Sequence, residues 1–303
     1  MSNPLVSIIL PTYNGSQFLE QSLRSCLLQT YSNFELIIVD DASTDKTPDI
    51  ISEVVKLDPR IKLITNSINK KLPGALNVGF GQARGDYLTW TSDDNCYRPE
   101  ALATMVNYLQ SDSGVDIVYC DYTAIDENGK TLEKVIVNNP EHLWNGNCIG
   151  ACFLYRRALH EKLGGYDENL FLAEDYDFWL RASLFFKLQP LHEDLYLYRR
   201  HTGSLTQKER KQDISLATER TLAQCVSRIP KTELRVQAYL KLCRMAETRR
   251  DSGTKRRYVL KAIVASPGYM LKNERKLLAF VMLGEKVSDF LYNNYMKLKR
   301  SLC

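Results

Sequence analysis

Short, nearly continuous apolar runs alternate along the first half of the chain with stretches whose apolar residues recur every three or four positions. Residues 5–10, 34–39, 61–64, 87–90 and 116–120 form the runs, and their aliphatic, β-branched and aromatic content predicts five buried strands. The stretches between them have the spacing of amphipathic helices. This alternation predicts an α/β fold with a mostly parallel sheet covered by helices on both faces.

Polar residues and prolines predict where these helices begin. Ser16 can cap the first helix, residues 43–45 can cap the second, and Pro48 and Pro99 suit the first turn of a helix. A further helix or helical turn is predicted over residues 74–83. The apolar positions of the first, second and Pro99 helices are Leu19, Leu23 and Leu27; Ile50, Ile51, Val54 and Val55; and Leu102, Met105, Val106 and Leu109.

Polar residues follow three of the predicted strands at the point where each strand ends. Right-handed crossovers bring the carboxyl ends of parallel strands to one edge of a sheet, where open α/β sheets bind their ligands. We therefore expect the three clusters to meet in one crevice, although a single acidic pair would suit a solvated turn equally well. The clusters are Thr12-Tyr13, Asp40-Asp41 and Asp93-Asp94.

Composition narrows the class of protein. The chain has 303 residues, of which 44% are hydrophobic and 25% charged, as in an ordinary globular protein. No apolar run approaches the roughly 20 residues of a membrane span, and residues 5–10 lack the basic leader of a signal peptide. The eight cysteines are scattered without a C-x-x-C pair, which favours reduced thiols in a cytoplasmic protein.

The charge changes sign along the chain. Residues 1–204 carry 18 basic against 27 acidic side chains, whereas residues 205–303 carry 22 against 9. We predict a catalytic domain over residues 1–205 and a basic helical region over 206–303, with one helix through Leu234 and Met245 and another over 258–265. The basic region suits peripheral contact with anionic lipids, above all through residues 290–302, but a solvated basic bundle is the alternative. The basic region contains no recognised nucleic-acid-binding module.

Six motifs resemble those of family 2 glycosyltransferases with the GT-A fold and occur in that family's order. The resemblance covers about residues 5–205. Many members of the family have a further Asp where this chain has Thr91. The motifs are 11–14 (Pro-Thr-Tyr-Asn), 39–45 (Val-Asp-Asp-Ala-Ser-Thr-Asp), 83–88 (Ala-Arg-Gly-Asp-Tyr-Leu), 92–95 (Ser-Asp-Asp-Asn), 164–168 (Gly-Gly-Tyr-Asp-Glu) and 174–179 (Glu-Asp-Tyr-Asp-Phe-Trp).

The resemblance implies a divalent cation, Mg²⁺ or Mn²⁺, at the end of the fourth strand. Asp94 is the expected metal ligand, and Asp93 would lie near the ribose of the donor or share the ion. Paired carboxylates suit such a cation when phosphate oxygens complete its shell, and the cation then stabilises the departing diphosphate. His201 either completes this shell or is an ordinary structural histidine, and both readings stay open.

The remaining strand-end residues suit a nucleotide. Thr12 and Tyr13 close the first strand, and Tyr13 offers an aromatic face on which a base can stack. Asp41 can accept a hydrogen bond from a uracil ring nitrogen, which in the family points to UDP-sugars; a rim aromatic and a helix-capping carboxylate are the alternatives. Lys71, or its neighbour Lys70, can approach a phosphate or the base, or can simply lie in a solvated loop.

Asp175 is the predicted general base. It opens a helix in which Asp177 and Arg181 stand four residues apart, and the matching position serves as base in the family. Aromatic neighbours, among them Trp179, would partly desolvate it and raise its pKa. The alternative is an acidic first turn that is favoured by the helix dipole alone.

Together these expectations describe a metal-dependent, inverting glycosyltransferase of polysaccharide or glycoconjugate synthesis, cytoplasmic and peripheral to the membrane. It would move a sugar from a nucleoside-diphosphate donor, with UDP favoured, to a hydroxyl of a glycan or lipid-linked acceptor. A nucleotidyltransferase on the same fold would instead release pyrophosphate. A non-catalytic nucleotide-sugar-binding module would bind the donor without turnover. The donor sugar, acceptor and linkage depend on pocket details that the sequence does not specify.

Overall fold

A computed structural model describes residues 3–205 and 211–283 of the chain. The chain divides into two compact units, Met1–Ala217 and Thr218–Cys303. The first unit is built on a mixed sheet, and the second is helical within its described residues.

Nine strands form the sheet of the first unit, in the order β3-β2-β1-β4-β8-β6-β9-β5 with β7 paired to β6. β3, β2, β1 and β4 are parallel neighbours, and β6 pairs in parallel with β9, whereas β8, β5 and β7 pair antiparallel to their neighbours. Six strands therefore run in one direction. The strands are β1 (Val6–Thr12), β2 (Phe34–Asp40), β3 (Ile61–Thr65), β4 (Tyr87–Trp90), β5 (Cys96–Tyr97), β6 (Ile117–Ile125), β7 (Thr131–Val135), β8 (Phe153–Arg156) and β9 (Leu188–Arg199).

Helices follow the strands of the first unit and cover the sheet. Three-residue and six-residue 3₁₀ segments, Glu168–Leu170 and Pro140–Asn145, lie in the connections. The helices that begin in this unit are α1 (Leu19–Leu27), α2 (Thr47–Val55), α3 (Lys71–Phe80), α4 (Ala101–Ser111), α5 (Arg157–Leu163), α6 (Glu174–Ser183) and α7 (Lys211–Cys225).

The two faces of β1 pack against different helices because successive side chains of a strand point to opposite faces. Ile8 and Leu10 belong to one buried cluster with Leu23 of α1 and Met105 of α4. On the other face, α3 comes so close to the sheet that a Cβ at Gly79 would lie 2.4 Å from Cγ2 of Ile9. This close approach brings α3 down onto the strands that lead into the polar edge.

Several predicted boundaries are corrected by the structure. α1 begins at Leu19 without a side-chain cap, so the expectation that Ser16 caps it is wrong; the Ser16 N–H instead donates to Asp45. α3 begins at Lys71 rather than at residue 74, because Pro73 can occupy its first turn. The fifth predicted strand is longer than expected and runs to Ile125.

A cluster of aromatic rings fixes α6 against the sheet. Phe178 stacks on Tyr166 with ring centroids 4.6 Å apart, and Trp179, which is fully buried, meets Phe153 of β8 at 4.7 Å. His160 lies among the same rings, and burial lowers its pKa to about 4, so it packs as a neutral ring. The cluster anchors the helix whose first residues are Glu174 and Asp175.

The second unit consists of helices in its described part. The predicted helix through Leu234 and Met245 is α8, and the helix predicted over 258–265 belongs to α9, which begins earlier. Residues 290–302, the predicted lipid contact, lie outside the described residues. In the parts of the chain that the structure describes, no helix is both long and apolar enough to cross a bilayer. The helices are α8 (Thr232–Thr248), α9 (Ser252–Ala265), α10 (Pro267–Asn273) and α11 (Arg275–Leu283).

The close packing of α3 predicts that Gly79→Ala destabilises the protein. The alanine methyl group would overlap Ile9 on a central strand that has no room to move. This overlap destabilises the protein by more than the higher helix propensity of Ala stabilises it. We expect a net loss of about 1–2 kcal/mol in a denaturant titration. Gly268→Ala, where a Cβ meets nothing within 4 Å, is the control and should not lower the midpoint. Equal midpoints for the two variants would contradict this packing.

Candidate active site

The polar residues at the ends of β1, β2 and β4 meet as the sequence predicts. The Thr12 hydroxyl donates to Oδ2 of Asp93 at 2.5 Å, and the Asp41 N–H donates to the Thr12 carbonyl at 2.9 Å. The parallel register of the three strands produces this meeting, because β1 lies between β2 and β4. Tyr13 extends beyond the strand with half of its surface exposed. The edge therefore presents an aromatic face beside buried carboxylates.

The loops that follow β1 and β2 are joined by hydrogen bonds. Asn14, at a φ of 54°, donates its N–H to the Ser43 hydroxyl at 3.0 Å and accepts from the Thr44 N–H at 2.8 Å. Gly15 leaves room for the loop after β4, since a Cβ at this position would lie 2.0 Å from Oδ2 of Asp93. The two loops thus form one rim around the strand ends.

Asp41 is buried and held by the chain that leads into α3. Its Oδ1 accepts from the Asn66 amide at 2.7 Å and from the Lys70 N–H at 2.9 Å. A carboxylate can accept about four hydrogen bonds, so capacity for a ligand donor remains. Asp40 instead accepts from the Ser43 N–H and shapes the turn.

Lys71 begins α3 one residue after the contact with Asp41. Its φ is 62°, and its ammonium group lies 5.3 Å from the ring centroid of Phe171. The side chain is exposed, so the structure places it at the rim of the crevice rather than on the strand-end carboxylates. Phe171 precedes Asp175 by four residues, and the contact connects the start of α3 with the approach to α6.

Asp94, the predicted metal ligand, and His201, whose role stayed open, contact each other directly. Nε2 of His201 lies 3.0 Å from Oδ2 of Asp94, while Oδ1 of Asp94 is buried without a hydrogen-bond partner. Burial raises the pKa of Asp94, against the opposing effects of His201 and Arg199. Arg199 also donates to the Asp94 carbonyl at 3.0 Å, which fixes the backbone of this loop.

The residues present fit a cation that takes part of its shell from a ligand. Asp94 supplies an unpaired carboxylate oxygen, and His201 adds an imidazole nitrogen beside it. Among residues 3–205 and 211–283, no three His, Cys, Asp or Glu side chains form a metal-holding group. Mg²⁺ commonly binds through one or two carboxylates and substrate phosphates, whereas a structural Zn²⁺ needs four protein ligands.

Thr91, which stands where many relatives have an Asp, takes no part in this edge. It is buried, and its hydroxyl lies 2.6 Å from the hydroxyl of Tyr196 in β9. The position therefore faces the core in this protein. Asp93 and Asp94 are the two carboxylates of this loop.

Asp175 lies at the first turn of α6 with both oxygens engaged. Oδ1 accepts from the N–H of Tyr176 at 2.6 Å, and Oδ2 accepts from the Asn147 amide at 2.8 Å. Burial raises its pKa, while these hydrogen bonds oppose the shift. A carboxylate whose pKa is raised by burial and lowered by hydrogen bonds can be ionised and still be basic enough to accept a proton.

Glu174 is the less solvated member of the pair. It is 5% exposed, and its Oε2 has no hydrogen-bond partner. Burial, together with the neighbouring charge of Asp175, raises the pKa of Glu174 to about 8. Burial thus raises the pKa values of two adjacent carboxyl groups, and Glu174 is the member with an oxygen that no hydrogen bond satisfies.

The surroundings of Asp175 extend to the end of β4. The Trp90 indole donates to the Tyr166 hydroxyl at 2.9 Å, and burial, with a smaller contribution from the charges of Asp175 and Glu174, raises the pKa of Tyr166. Tyr166 therefore connects the last residue of β4 with the surroundings of Asp175.

Three contacts of this site were not predicted from the sequence. Asn66 and Asn147 orient the carboxylates of Asp41 and Asp175, and Gly15 leaves space for the contact of Thr12 with Asp93. The glycine directly follows the motif of residues 11–14, which was an available signal. The asparagines carried none, because neither stands in a charged or repeated pattern.

Carboxylates gathered where neighbouring parallel strands end are typical of the ligand-binding edge of α/β proteins. The particular family follows from comparison with known proteins. A family model described as glycosyl transferase family 2 matches residues 7–164, and the chain belongs to that family. The predicted family is thereby confirmed, and the solved structures that share the fold confirm the predicted GT-A fold.

Relatives of known sequence are also named as glycosyltransferases. The chain is 32% identical over 223 residues to an uncharacterized glycosyltransferase of Rickettsia typhi, covering 67% of this chain and 66% of the relative. It is 32% identical over 230 residues to the Bacillus subtilis protein EpsH, covering 70% of this chain and 65% of the relative. The match thus spans slightly less than two thirds of these relatives' own length.

Solved structures share the fold at low sequence identity. The S. aureus TarS 1–349 complex with UDP is 18% identical, with a TM-score of 0.67, covering 95% of this chain and 91% of that chain. The TarS 1–349 complex with UDP-GlcNAc gives a TM-score of 0.60 at 19% identity, covering 92% of each chain. The Pyrobaculum calidifontis mannosyltransferase PcManGT, in complex with GDP-Man and Mn²⁺, gives 0.56 at 19% identity, covering 98% and 84%.

The burial of Glu174 predicts a pH-dependent stability. Because its folded-state pKa lies above the ordinary value of 4.5, the stability contributed by its protonated form is lost as pH rises through about 8. The melting temperature of the wild type should fall across this range, and that of Glu174→Gln should fall less. Thermal denaturation from pH 6 to 9.5 measures both, with Glu161→Gln on the exposed face of α5 as the control. Parallel curves for wild type and Glu174→Gln would refute the buried, protonated glutamate.

Proposed function

We propose that this protein transfers a sugar from a nucleoside-diphosphate donor, a UDP-sugar, to a hydroxyl of a glycan or lipid-linked acceptor, with inversion at the anomeric carbon. The principal support is the unpaired, buried Oδ1 of Asp94 beside His201, at the strand edge that also holds Thr12, Asp41 and Asp93. A buried carboxylate oxygen without a partner is costly unless a ligand satisfies it. A diphosphate with its cation supplies such a ligand.

The donor would lie along the joined loops after β1 and β2. Tyr13 is exposed and can stack on the base, and Asp41 has capacity for a donor from the uracil ring. Lys71 is exposed and follows Lys70, whose N–H donates to Asp41, so its side chain would approach the phosphates or the base. The bound UDP and UDP-GlcNAc of TarS support a uridine nucleotide, since the two proteins share the fold.

Asp94 and His201 would hold the divalent cation, and Asp93 would lie near the ribose or share the ion. When bound, Mg²⁺ or Mn²⁺ neutralises the growing charge of the departing diphosphate as a Lewis acid. The Mn²⁺ bound by PcManGT supports this assignment. The Thr12 hydrogen bond orients Asp93, and Arg199 holds the loop that presents Asp94.

Asp175 would act as the general base. The acceptor hydroxyl would transfer its proton to a carboxylate oxygen of Asp175 while its own oxygen attacks the anomeric carbon from the face opposite the diphosphate. The Asn147 amide keeps the carboxylate oriented, and the buried aromatic cluster keeps α6 in place. One displacement on one face inverts the configuration.

The wider setting is also a proposal. We assign the transfer reaction to residues 1–205 and a separate function to the basic region 206–303. An acceptor attached to a lipid carrier would place the enzyme at the cytoplasmic face of a membrane, in cell-wall or polysaccharide synthesis. The excess of basic residues after 205 supports this placement, because the cytoplasmic face carries anionic lipids.

Replacing the base should stop transfer and leave donor binding intact. We expect Asp175→Asn to reduce the rate of UDP release in the presence of acceptor by about 10²–10⁴-fold, because the amide cannot accept the proton. UDP affinity, measured by calorimetry, should stay within twofold of wild type. Asp49→Asn, on the exposed first turn of α2, is the control. Undiminished UDP release by Asp175→Asn would remove this residue from the mechanism.

Replacing the metal ligand should remove the effect of the cation on the nucleotide. Wild-type protein should gain thermal stability from UDP, and more from UDP with Mn²⁺, because binding to the folded state raises the melting temperature. Asp94→Asn should lose the additional Mn²⁺ shift, while Asp49→Asn keeps it. A wild-type shift that is the same with and without Mn²⁺ would end the metal assignment. Release of pyrophosphate instead of UDP would identify a nucleotidyltransferase, and binding without turnover a non-catalytic module.

A further inference from the structure

Helix α9 in the second unit has an outer face that is both basic and apolar. Arg256, Leu260, Lys261 and Val264 are all exposed, and at these spacings they share one side of the helix. Val264 has 82% of its surface exposed and Leu260 has 45%, values that are high for aliphatic side chains on an ordinary helix. Such side chains usually lie on the buried side.

The opposite side of α9 shows that the outer face is not the packing face. Val259 and Ala262 are completely buried, and Lys255 on the same side is 5% exposed. Lys255 is satisfied there by Glu247 of α8 at 2.7 Å and by the ring of Phe280 of α11 at 4.5 Å. The helix is therefore already anchored to its own unit, and among the described residues its outer face remains exposed.

The charged side chains of α9 are all basic, and the described part of the second unit is basic overall. Residues 252–265 contain four basic and no acidic side chains, and the described residues 218–283 contain 15 basic against 5 acidic. Hydrogen bonds from Thr254 lower the pKa of Asp251, and the charge of Arg257 on the same helix adds to this effect. Arg256 and Lys261 therefore carry the argument for an anionic partner.

The combination of charge and exposed aliphatic surface selects among anionic partners. A nucleic-acid backbone would attract Arg256 and Lys261 but would leave Leu260 and Val264 in water. The boundary of an anionic bilayer satisfies both, because lipid headgroups pair with the basic side chains while aliphatic side chains enter the acyl region. We propose that the outer face of α9 docks the protein on anionic membrane lipid. The proposal deepens the peripheral placement given above and rests on it.

Binding to vesicles tests the proposal directly. The full chain would be sedimented with phosphatidylcholine vesicles that contain or lack phosphatidylglycerol, at low salt. We expect binding to the anionic vesicles only, and a loss of about tenfold or more in affinity for Arg256→Glu/Lys261→Glu. Leu260→Ser/Val264→Ser should also weaken binding, and most clearly at high salt, where the electrostatic part is screened.

Matched controls separate this face from net charge. Lys46→Glu/Lys56→Glu reverses two exposed charges that flank α2 in the other unit and should bind as wild type. Asp175→Asn should also bind as wild type, so that failure of the transfer reaction and failure of docking can be told apart. If a charge-reversal variant is unstable by thermal denaturation, Arg256→Gln/Lys261→Gln replaces it.

Several outcomes would overturn the proposal. One is equal binding by wild type and both α9 double variants, and another is an equal loss in the Lys46/Lys56 control. Tighter binding to single-stranded DNA or RNA than to anionic vesicles would favour a nucleic acid. A concentration-dependent dimer that the Leu260/Val264 variant abolishes, without vesicle binding by wild type, would assign the face to a second copy of the chain.

Discussion

The free-energy cost of burying carboxylates determines how the loops are arranged at the edge where the parallel strands of the sheet end. A parallel sheet that is covered on both faces brings Asp40, Asp41 and Asp93 into a poorly solvated place, where each needs hydrogen-bond donors. The donors come from the loops themselves: Ser43 for Asp40, the Lys70 backbone for Asp41, and Thr12 for Asp93. The hydrogen bonds that compensate for the burial of these carboxylates therefore also hold the loops in place around the strand ends.

Two residues of the candidate site have a buried carboxylate oxygen without a hydrogen-bond partner, Oδ1 of Asp94 and Oε2 of Glu174, as Asp121 and Asp194 do elsewhere in the sheet unit. What distinguishes Asp94 is the neighbouring His201, which makes the pair suited to the proposed cation. Glu174 lies at the start of a helix beside a second carboxylate, and it can remove the cost of burial by staying protonated. The same physical problem therefore has two different solutions.

Sequence reasoning recovered the features that depend on local pattern. The apolar runs correctly predicted β1 to β4, and the order of the strand-end motifs correctly predicted that Thr12, Asp41 and Asp93 meet. It did not predict that β8 inserts antiparallel between β4 and β6, because pairing across 60 residues leaves no local signature. Asn66 and Asn147 were missed for the same reason, since their contacts are with carboxylates distant in sequence. The predicted cap at Ser16 was wrong because α1 begins at Leu19, so Phe18 and not Ser16 occupies the capping position.

The two ends of the site depend on different parts of the fold, and this division bears on specificity. The proposed donor end is built from the strand edge and from loops that hydrogen-bond one another, so a change in one loop disturbs the others. The proposed base, Asp175, is carried by α6, which the aromatic cluster anchors, and is oriented by Asn147 from a separate connection before β8. Changes in that connection can alter what approaches Asp175 without disturbing Asp41 or Asp94. A fold arranged in this way can keep one donor chemistry while accepting different acceptors, because the costly buried carboxylates lie on the side that need not change.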